Sequence, residues 1–290
     1  MSTGRVICVG ETLWDILPNG EFLGGAPMNV ALHATRLGLS AAVVSRVGAD
    51  PRGQRALERM HALGVDTQLV QIDAVRPTGI AAATLGPDGS ASYQFPSPCA
   101  WDAIEATAEA LVAATGATVV YGTLAQRAAE SSAAVSQLLD VAAWRVFDAN
   151  LRAPHDDRAI TLAGLARAEF VKLNEHEVVS IAHWLGLEPT AESLWAGLRA
   201  SYPIRSLCVT EGEKGARLWH DDSYVVQPAF PTVVVDTIGA GDSFLAMLLS
   251  ELLRGSAPVD AMRRAAKLAA FVASKPGASP DYDPSDFRTA

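Results

Sequence analysis

The sequence predicts an α/β fold: a three-layer α/β/α sandwich around a mainly parallel sheet, carrying a small β lid. Three observations lead there. Short apolar runs of strand length alternate with longer segments of helical period, the pattern of βαβ units. The 290 residues, 49% hydrophobic and 19% charged, hold enough apolar side chains for a large core. Two excursions of β character, marked by Gly, Pro, Asn and Asp, interrupt the alternation in the first third of the chain.

Taken in order, a strand over Arg5–Val9 leads into an excursion beginning at Trp14, with Asn19-Gly20 between apolar runs as a hairpin signal. A helix over Pro27–Leu37 opens on proline, whose fixed φ suits a first turn, and Gly38 ends it. A strand at Ala41–Val47 and a helix at Pro51–Leu63, closed by Gly64, follow. The second excursion, Gly79–Phe95, folds about Pro87-Asp88-Gly89-Ser90. Beyond it come a helix at Asp102–Ala114, a strand at Thr118–Tyr121, a helix at Ala128–Ala143, strands at Arg145–Asp148 and Phe170–Leu173, a helix at Ala191–Ala200 and a strand at Ser206–Thr210. The tail from Ser279 reads as a terminal wrap. No repeat or linker divides the chain, so residues 1–290 are expected to form one domain with lid segments at about 11–24 and 73–98. Both segments leave the sheet near carboxyl ends of strands, where open α/β folds place their ligands.

Charge and cysteine content narrow the function. With 23 basic and 32 acidic residues the net charge is −9, which leaves no cation surplus for a nucleic-acid backbone. Small anions remain possible ligands, since a few backbone N–H groups can hold a phosphate. Cys8, Cys99 and Cys208 are widely spaced and form no C-x-x-C pair, so neither a disulfide frame nor a zinc site is signalled. The apolar run Val6–Val9 is too short for a signal-peptide core, and no apolar stretch approaches the ~20 residues of a membrane span. The expectation is a cytoplasmic protein with no nucleic-acid or membrane partner.

Two glycine-bearing stretches carry the chemistry. Asp236-Thr237-Ile238-Gly239-Ala240-Gly241-Asp242 precedes an apolar helix from Ser243. A Gly-Ala-Gly turn at a helix start bares N–H groups at the positive end of the dipole and suits an anion. Asp242, in the first turn, reads either as a dipole-stabilised carboxylate or as the proton acceptor for an attacking hydroxyl. Gly24-Gly25-Ala26-Pro27-Met28-Asn29-Val30-Ala31 opens the first long helix, either as a tight loop before proline or as a close-approach surface on which Asn29 offers a donor and an acceptor to a polyol.

Together these stretches closely resemble the two signatures of the ribokinase-like, or PfkB-type, carbohydrate kinases, and the resemblance extends over essentially the whole chain. It implies a fructokinase-like enzyme that transfers the γ-phosphoryl group of ATP, with Mg²⁺, to a hydroxyl of a sugar under a β lid. By that resemblance Asp242 is the catalytic base and Gly239, Ala240 and Gly241 form the anion hole. Asp15, Gly25 and Asn29 are the sugar contacts. Asn174 and Glu177 match the family's Asn-x-x-Glu motif for magnesium, and Asp236 is similar to the acid near its magnesium or monovalent-cation region. Thr210, Gly212 and Gly215 resemble its nucleotide loop, with a simple strand-to-strand turn as the alternative. Asp148-Ala-Asn150-Leu-Arg152 resembles a segment of the fructokinase and 2-keto-3-deoxygluconate kinase branches, where Arg152 meets either a phosphate or the acceptor.

Fructose is the implied acceptor, with a ketoacid or ribose as neighbouring readings and a non-catalytic sugar sensor as the rival of another class. Lys275–Ser279 resembles the cation-site segment, which leaves K⁺ dependence and pairing of two chains as open expectations. Met247 stands where the second signature usually has a small residue, and Ala-Pro-His155 replaces the usual bulky pair after Arg152. No G-x-x-x-x-G-K-[ST] run is present, and no G-x-G-x-x-G follows the first strand.

Overall fold

The first strand, β1 (Arg5–Val9), sends Ile7 and Val9 into one hydrophobic cluster and Val6 and Cys8 into another, because successive side chains of a strand point to opposite faces. The same division recurs at Val119 and Val120, Phe147 and Val146, and Leu207 and Cys208. Strands apolar on both faces must be covered on both, which makes three layers. The structure is a computed structural model and describes residues 4–17, 20–85 and 91–288.

In chain order the next elements are β2 (Leu13–Leu17), β3 (Gly20–Gly24), α1 (Ala26–Arg36), β4 (Ser40–Gly48), α2 (Pro51–Ala62), β5 (Val70–Asp73), β6 (Gly79–Leu85) and β7 (Ala91–Gln94). Then come α3 (Ala108–Ala114), β8 (Thr118–Tyr121), α4 (Ala129–Val141), β9 (Trp144–Asp148), α5 (Arg158–Arg167), β10 (Phe170–Asn174), α6 (Glu175–Leu185), α7 (Ala191–Ser201) and β11 (Ser206–Thr210). The chain finishes with β12 (Ala216–His220), β13 (Ser223–Gln227), α8 (Ala240–Leu253), α9 (Pro258–Ala273) and α10 (Ser285–Arg288).

The main sheet has nine strands in the order β13-β12-β11-β10-β9-β8-β1-β4-β5. It is parallel from β11 to β5, with β12 and β13 added antiparallel at one edge. Helices α3 to α7 contribute to one core, and α1, α8 and α9 to the other. The chain runs outward from β1 to β4 and β5, then returns to β8 on the other side of β1. That reversal opens a crevice at the carboxyl ends of β1 and β8, the usual ligand position in such sheets. A second sheet of four strands, β3-β2-β6-β7, is built from the two excursions, which meet in the parallel pair β2–β6.

The α/β sandwich with a mainly parallel sheet is therefore the observed fold. Among the expected turns, Asn19 and the whole of Pro87–Ser90 lie outside the described residues. The expected helix from Asp102 begins instead at Ala108. Asp102 turns back to accept the N–H of Cys99 at 2.9 Å and pairs with Arg127 at 2.8 Å, closing a single 3₁₀ turn over Ala100–Ala103. Ile104 then runs extended, and Thr107 caps α3 by accepting the N–H of Ala110. The tail is more than a wrap, since its last four described residues form α10 and bury Phe287.

Candidate active site

Asp242 sits in the first turn of α8, whose N-cap is Gly239 in the left-handed region at φ 76° with no side-chain cap. The Ala240 N–H goes to the Thr237 carbonyl at 3.3 Å, but among the described residues no backbone acceptor takes the Gly241 N–H, so the head of this helix presents a free donor at the positive end of its dipole. Gly239 can hold its conformation only without a side chain, because a Cβ there would lie 2.6 Å from the Cα of Ala278. A Cβ on Gly241 would lie 3.1 Å from the Nζ of Lys172. Every residue of the expected anion hole is thus at one helix head, with a cation close behind it.

That cation was not anticipated. Lys172 lies on β10 opposite Asp148 of β9 in the sheet register, and its ammonium pairs with Asp148 Oδ1 at 3.0 Å. Both side chains are buried. Burial alone would pull the lysine's proton affinity down, but Asp148, Glu177 and Asp242 outweigh it and push the affinity up. Asp148 Oδ2 has no partner. Asp148 lines a shallow crevice together with Glu11, Gly122, Thr123 and Asn150.

The Asp242 carboxyl is pushed up to about 6, chiefly by burial and by the nearby Asp148 charge, against the opposing effects of Lys172, a hydrogen bond from Asn29 and Arg152. A carboxylate with that affinity is well suited to take a proton near neutral pH. Asn29, one turn into α1, donates its amide to Asp242 Oδ2 at 2.8 Å, while its own buried Oδ1 has no partner. Gly25 caps α1 at φ 111°, and a Cβ there would meet the Glu11 carbonyl at 2.3 Å. Gly24 lets the Asp15 carboxylate sit close, its Cβ position being 2.2 Å from Asp15 Oδ2, so a side chain there would displace that carboxylate. Burial pushes Asp15 up to about 6 and Glu11, which sequence reasoning passed over, up to about 7. Arg152 is exposed on the loop after β9, yet its charge is felt at Glu11, Asp15 and Asp242.

The remaining expected residues are found at neighbouring strand ends with local duties. Asn174 caps α6, and Glu177 completes a capping box by accepting the Asn174 N–H at 2.8 Å. The other Glu177 oxygen accepts the N–H of Leu151, also at 2.8 Å, and ties the Arg152 loop to α6. Thr210 is the register partner of Asn174, so both border one end of the cleft. Gly212 has open space around it, whereas Gly215 is required by the sheet, because a Cβ there would lie 2.0 Å from the Gln227 carbonyl. Asp236 accepts the N–H groups of Ile238 at 2.9 Å and Gly277 at 3.1 Å, fastening the turn to the segment after α9. Among the described residues no group of three or more His, Cys, Asp or Glu could hold a metal ion by itself. No helix among them is long and apolar enough to cross a membrane.

The sequence profile described as pfkB family carbohydrate kinase matches residues 19–285. A fructokinase of Klebsiella pneumoniae is 30% identical over 269 residues, covering 88% of this chain and 86% of that protein. Fructokinase-1 of Zea mays is 29% identical, over 97% and 95% of the two chains. A fructokinase double mutant of Vibrio cholerae, solved with fructose, ADP and a potassium ion bound, superposes with a TM-score of 0.80 at 25% identity, over 96% and 94%.

Proposed function

The chain belongs to the pfkB family of carbohydrate kinases and is thereby a sugar kinase; from that premise we propose that it moves the γ-phosphoryl group of ATP onto a primary hydroxyl of free fructose, giving fructose 6-phosphate. The observation that carries the reading is the meeting of Asp242 with the unclaimed Gly241 N–H at the head of α8 and with Asn29. In this reading Asp242 takes the hydroxyl proton as the oxygen attacks phosphorus, and the turn holds the transferring group as its charge develops. Lys172 adds positive charge from beneath.

Asp15, Gly25 and Asn29 serve as sugar contacts, with the unpartnered Asn29 Oδ1 accepting from a hydroxyl. Three carboxyls of raised proton affinity, Glu11, Asp15 and Asp242, favour a neutral polyol over a ketoacid, whose carboxylate they would repel. Arg152, exposed at the edge, is assigned to a phosphate. The names of the relatives support fructose in particular.

Thr210, Gly212 and Gly215 are assigned to the nucleotide, and exposed Val233, Val234 and Val235, just ahead of the Asp236 turn, offer apolar cover for a base. Asn174, Glu177 and Asp236 would hold magnesium, which supplies charge neutralisation and alignment of the phosphates. The donor set fits, being hard oxygen. Both Glu177 oxygens are held by N–H groups, so its contact runs through water, and magnesium keeps several waters. The Lys275–Ser279 segment is assigned to a potassium ion. The four-stranded sheet acts as the lid of a one-domain enzyme and excludes water as a competing acceptor. Two chains pair through it, and three buried free cysteines suit a reducing cytoplasm.

A coupled ADP-release screen with Mg-ATP over fructose, ribose, 2-keto-3-deoxygluconate and nucleosides tests the reading. Fructose is expected to give the highest kcat/KM. A higher value on the ketoacid overturns the acceptor, and sugar binding without ADP release overturns the reaction.

A further inference from the structure

Three polar side chains spaced four and three residues apart share a face of α1, and each holds a different part of the site's surroundings. Asn29 bonds to Asp242. His33, fully buried, bonds through Nε2 to the Ala278 carbonyl at 2.9 Å and through Nδ1 to the Tyr282 hydroxyl at 2.8 Å. Arg36 takes the Pro280 carbonyl at 2.7 Å and the Asp281 carboxylate at 2.9 Å. The stretch from Ala278 to Asp281 is therefore fastened along α1.

Ala278 is the contact that matters for the phosphate-holding turn. Gly239 lies so close that a Cβ on it would be 2.6 Å from the Ala278 Cα and 2.9 Å from the Ala278 oxygen. The preceding residue, Gly277, donates its N–H to Asp236 at the start of the same turn. Backbone rests on backbone, so a displacement of Ala278 becomes a displacement of Gly239 and of the donors that follow it.

The His33 ring can serve only one way. The Ala278 oxygen accepts, so Nε2 carries the hydrogen, which leaves Nδ1 to accept from the Tyr282 O–H. The ring is fully buried, with its two nitrogens paired to these two groups. The rest of that face of α1, including Val30, Leu32 and Ala34, is buried and apolar. A leucine would fill the same place with no polar atom to satisfy. What the ring adds is a directional hold on one carbonyl.

We infer that His33 is a positioning residue for the Gly239–Gly241 turn, acting with Tyr282 through the Ala278 carbonyl, an inference that rests on the sugar-kinase reading above.

Steady-state kinetics on the full chain, well below each variant's Tm, test it. His33→Leu should lower kcat about tenfold, the scale expected when reacting groups are displaced by a fraction of an ångström, with KM for the sugar within about twofold. His33→Gln, whose amide can still donate to Ala278, should recover most of the loss. Tyr282→Phe, which only frees Nδ1, should lower kcat about threefold. The pH profile of His33→Leu should keep the wild-type inflection, since the base itself is untouched. A kcat within twofold of wild type in both His33→Leu and Tyr282→Phe, with only Tm reduced, overturns the inference. If His33→Leu does not fold, Tyr282→Phe decides alone, because a kcat within twofold of wild type in that variant overturns the inference equally. A wild type inactive on every sugar overturns the functional reading instead.

Discussion

Asn29 donates its amide to Asp242 at 2.8 Å across 213 positions of sequence, joining the head of α1 to the first turn of α8. The same amide leaves its oxygen free and buried. One side chain thus holds Asp242 with its NH₂ while its carbonyl stays unclaimed; under the proposed function that carbonyl would accept from the sugar hydroxyl and couple arrival of the sugar to alignment of the base through a single planar group.

Removing that amide should move the pH profile. Asp242 is active when ionised and its affinity is raised to about 6, so kcat/KM should climb with pH through about 6 and level off above it. The Asn29 hydrogen bond favours the ionised form. Asn29→Ala should therefore shift the inflection to higher pH, by about 0.7 units for a bond worth about 1 kcal/mol. Initial rates between pH 5 and 9 check this, and a shift to lower pH would contradict the geometry.

Asp242→Asn should lower kcat by about 10²–10⁴-fold, the usual range for loss of a positioned base, with sugar binding retained. Isothermal titration with the sugar alongside ADP-release rates separates the two effects. A near-normal rate removes Asp242 from the role of base.

Lys172→Met should damage both stability and rate. It leaves Asp148 buried without its cation, at about 3–5 kcal/mol. Lysine also holds the Asp242 affinity down, so its loss should move the kinetic inflection upward. Pairing Lys172→Met with Asp148→Asn should restore much of the stability, measured by urea unfolding, without restoring the rate.

The buried carboxyls give the ligand-free protein a pH-dependent stability. Glu11, Asp15 and Asp242 bind protons more tightly folded than unfolded, so their contribution is present below pH 4 and lost as pH rises through about 6 to 7. His33, lowered to about 4, works in the opposite direction, contributing above about 6.5 and losing stability as pH falls. Glu11→Gln isolates one carboxyl. Its Tm should exceed that of wild type by a few degrees at pH 8 and match it at pH 5. An equal gain at both values would mean packing, not charge, is responsible.

Six of the seven parallel strands were legible because each is a short apolar run flanked by turn residues; β5 was not, since Val70–Asp73 is half polar and lies at the sheet edge. Gly24–Asn29 and Gly239–Asp242 drew notice only as an ordered pair that resembles the two family signatures, because a glycine turn at a helix head has ordinary structural uses when it stands alone. Lys172 was not, since in sequence it is one polar residue inside Phe170–Leu173. Its burial depends on Asp148 standing opposite in the register, which requires the strand order. His33 is hidden for a similar reason, with partners 245 and 249 residues away. Gly215 fitted the nucleotide loop, but its need for a bare Cα comes from the close pass of Gln227 on β13, a strand the reading did not place. The start of α3 was misplaced because Asp102 resembles a first-turn acid until Arg127 is seen to claim it.

The close fit around Gly24 and Gly25 also bears on redesign. A side chain at Gly25 would collide with the main chain at Glu11, and one at Gly24 would push the Asp15 carboxylate aside, so a library aimed at new acceptors gains nothing by varying either. Ala153 and Pro154, on the loop beyond Arg152, are exposed and can change size without disturbing a core. Under the proposed function, diversification confined to those two positions, with Arg152 kept, is the economical route to an altered acceptor range.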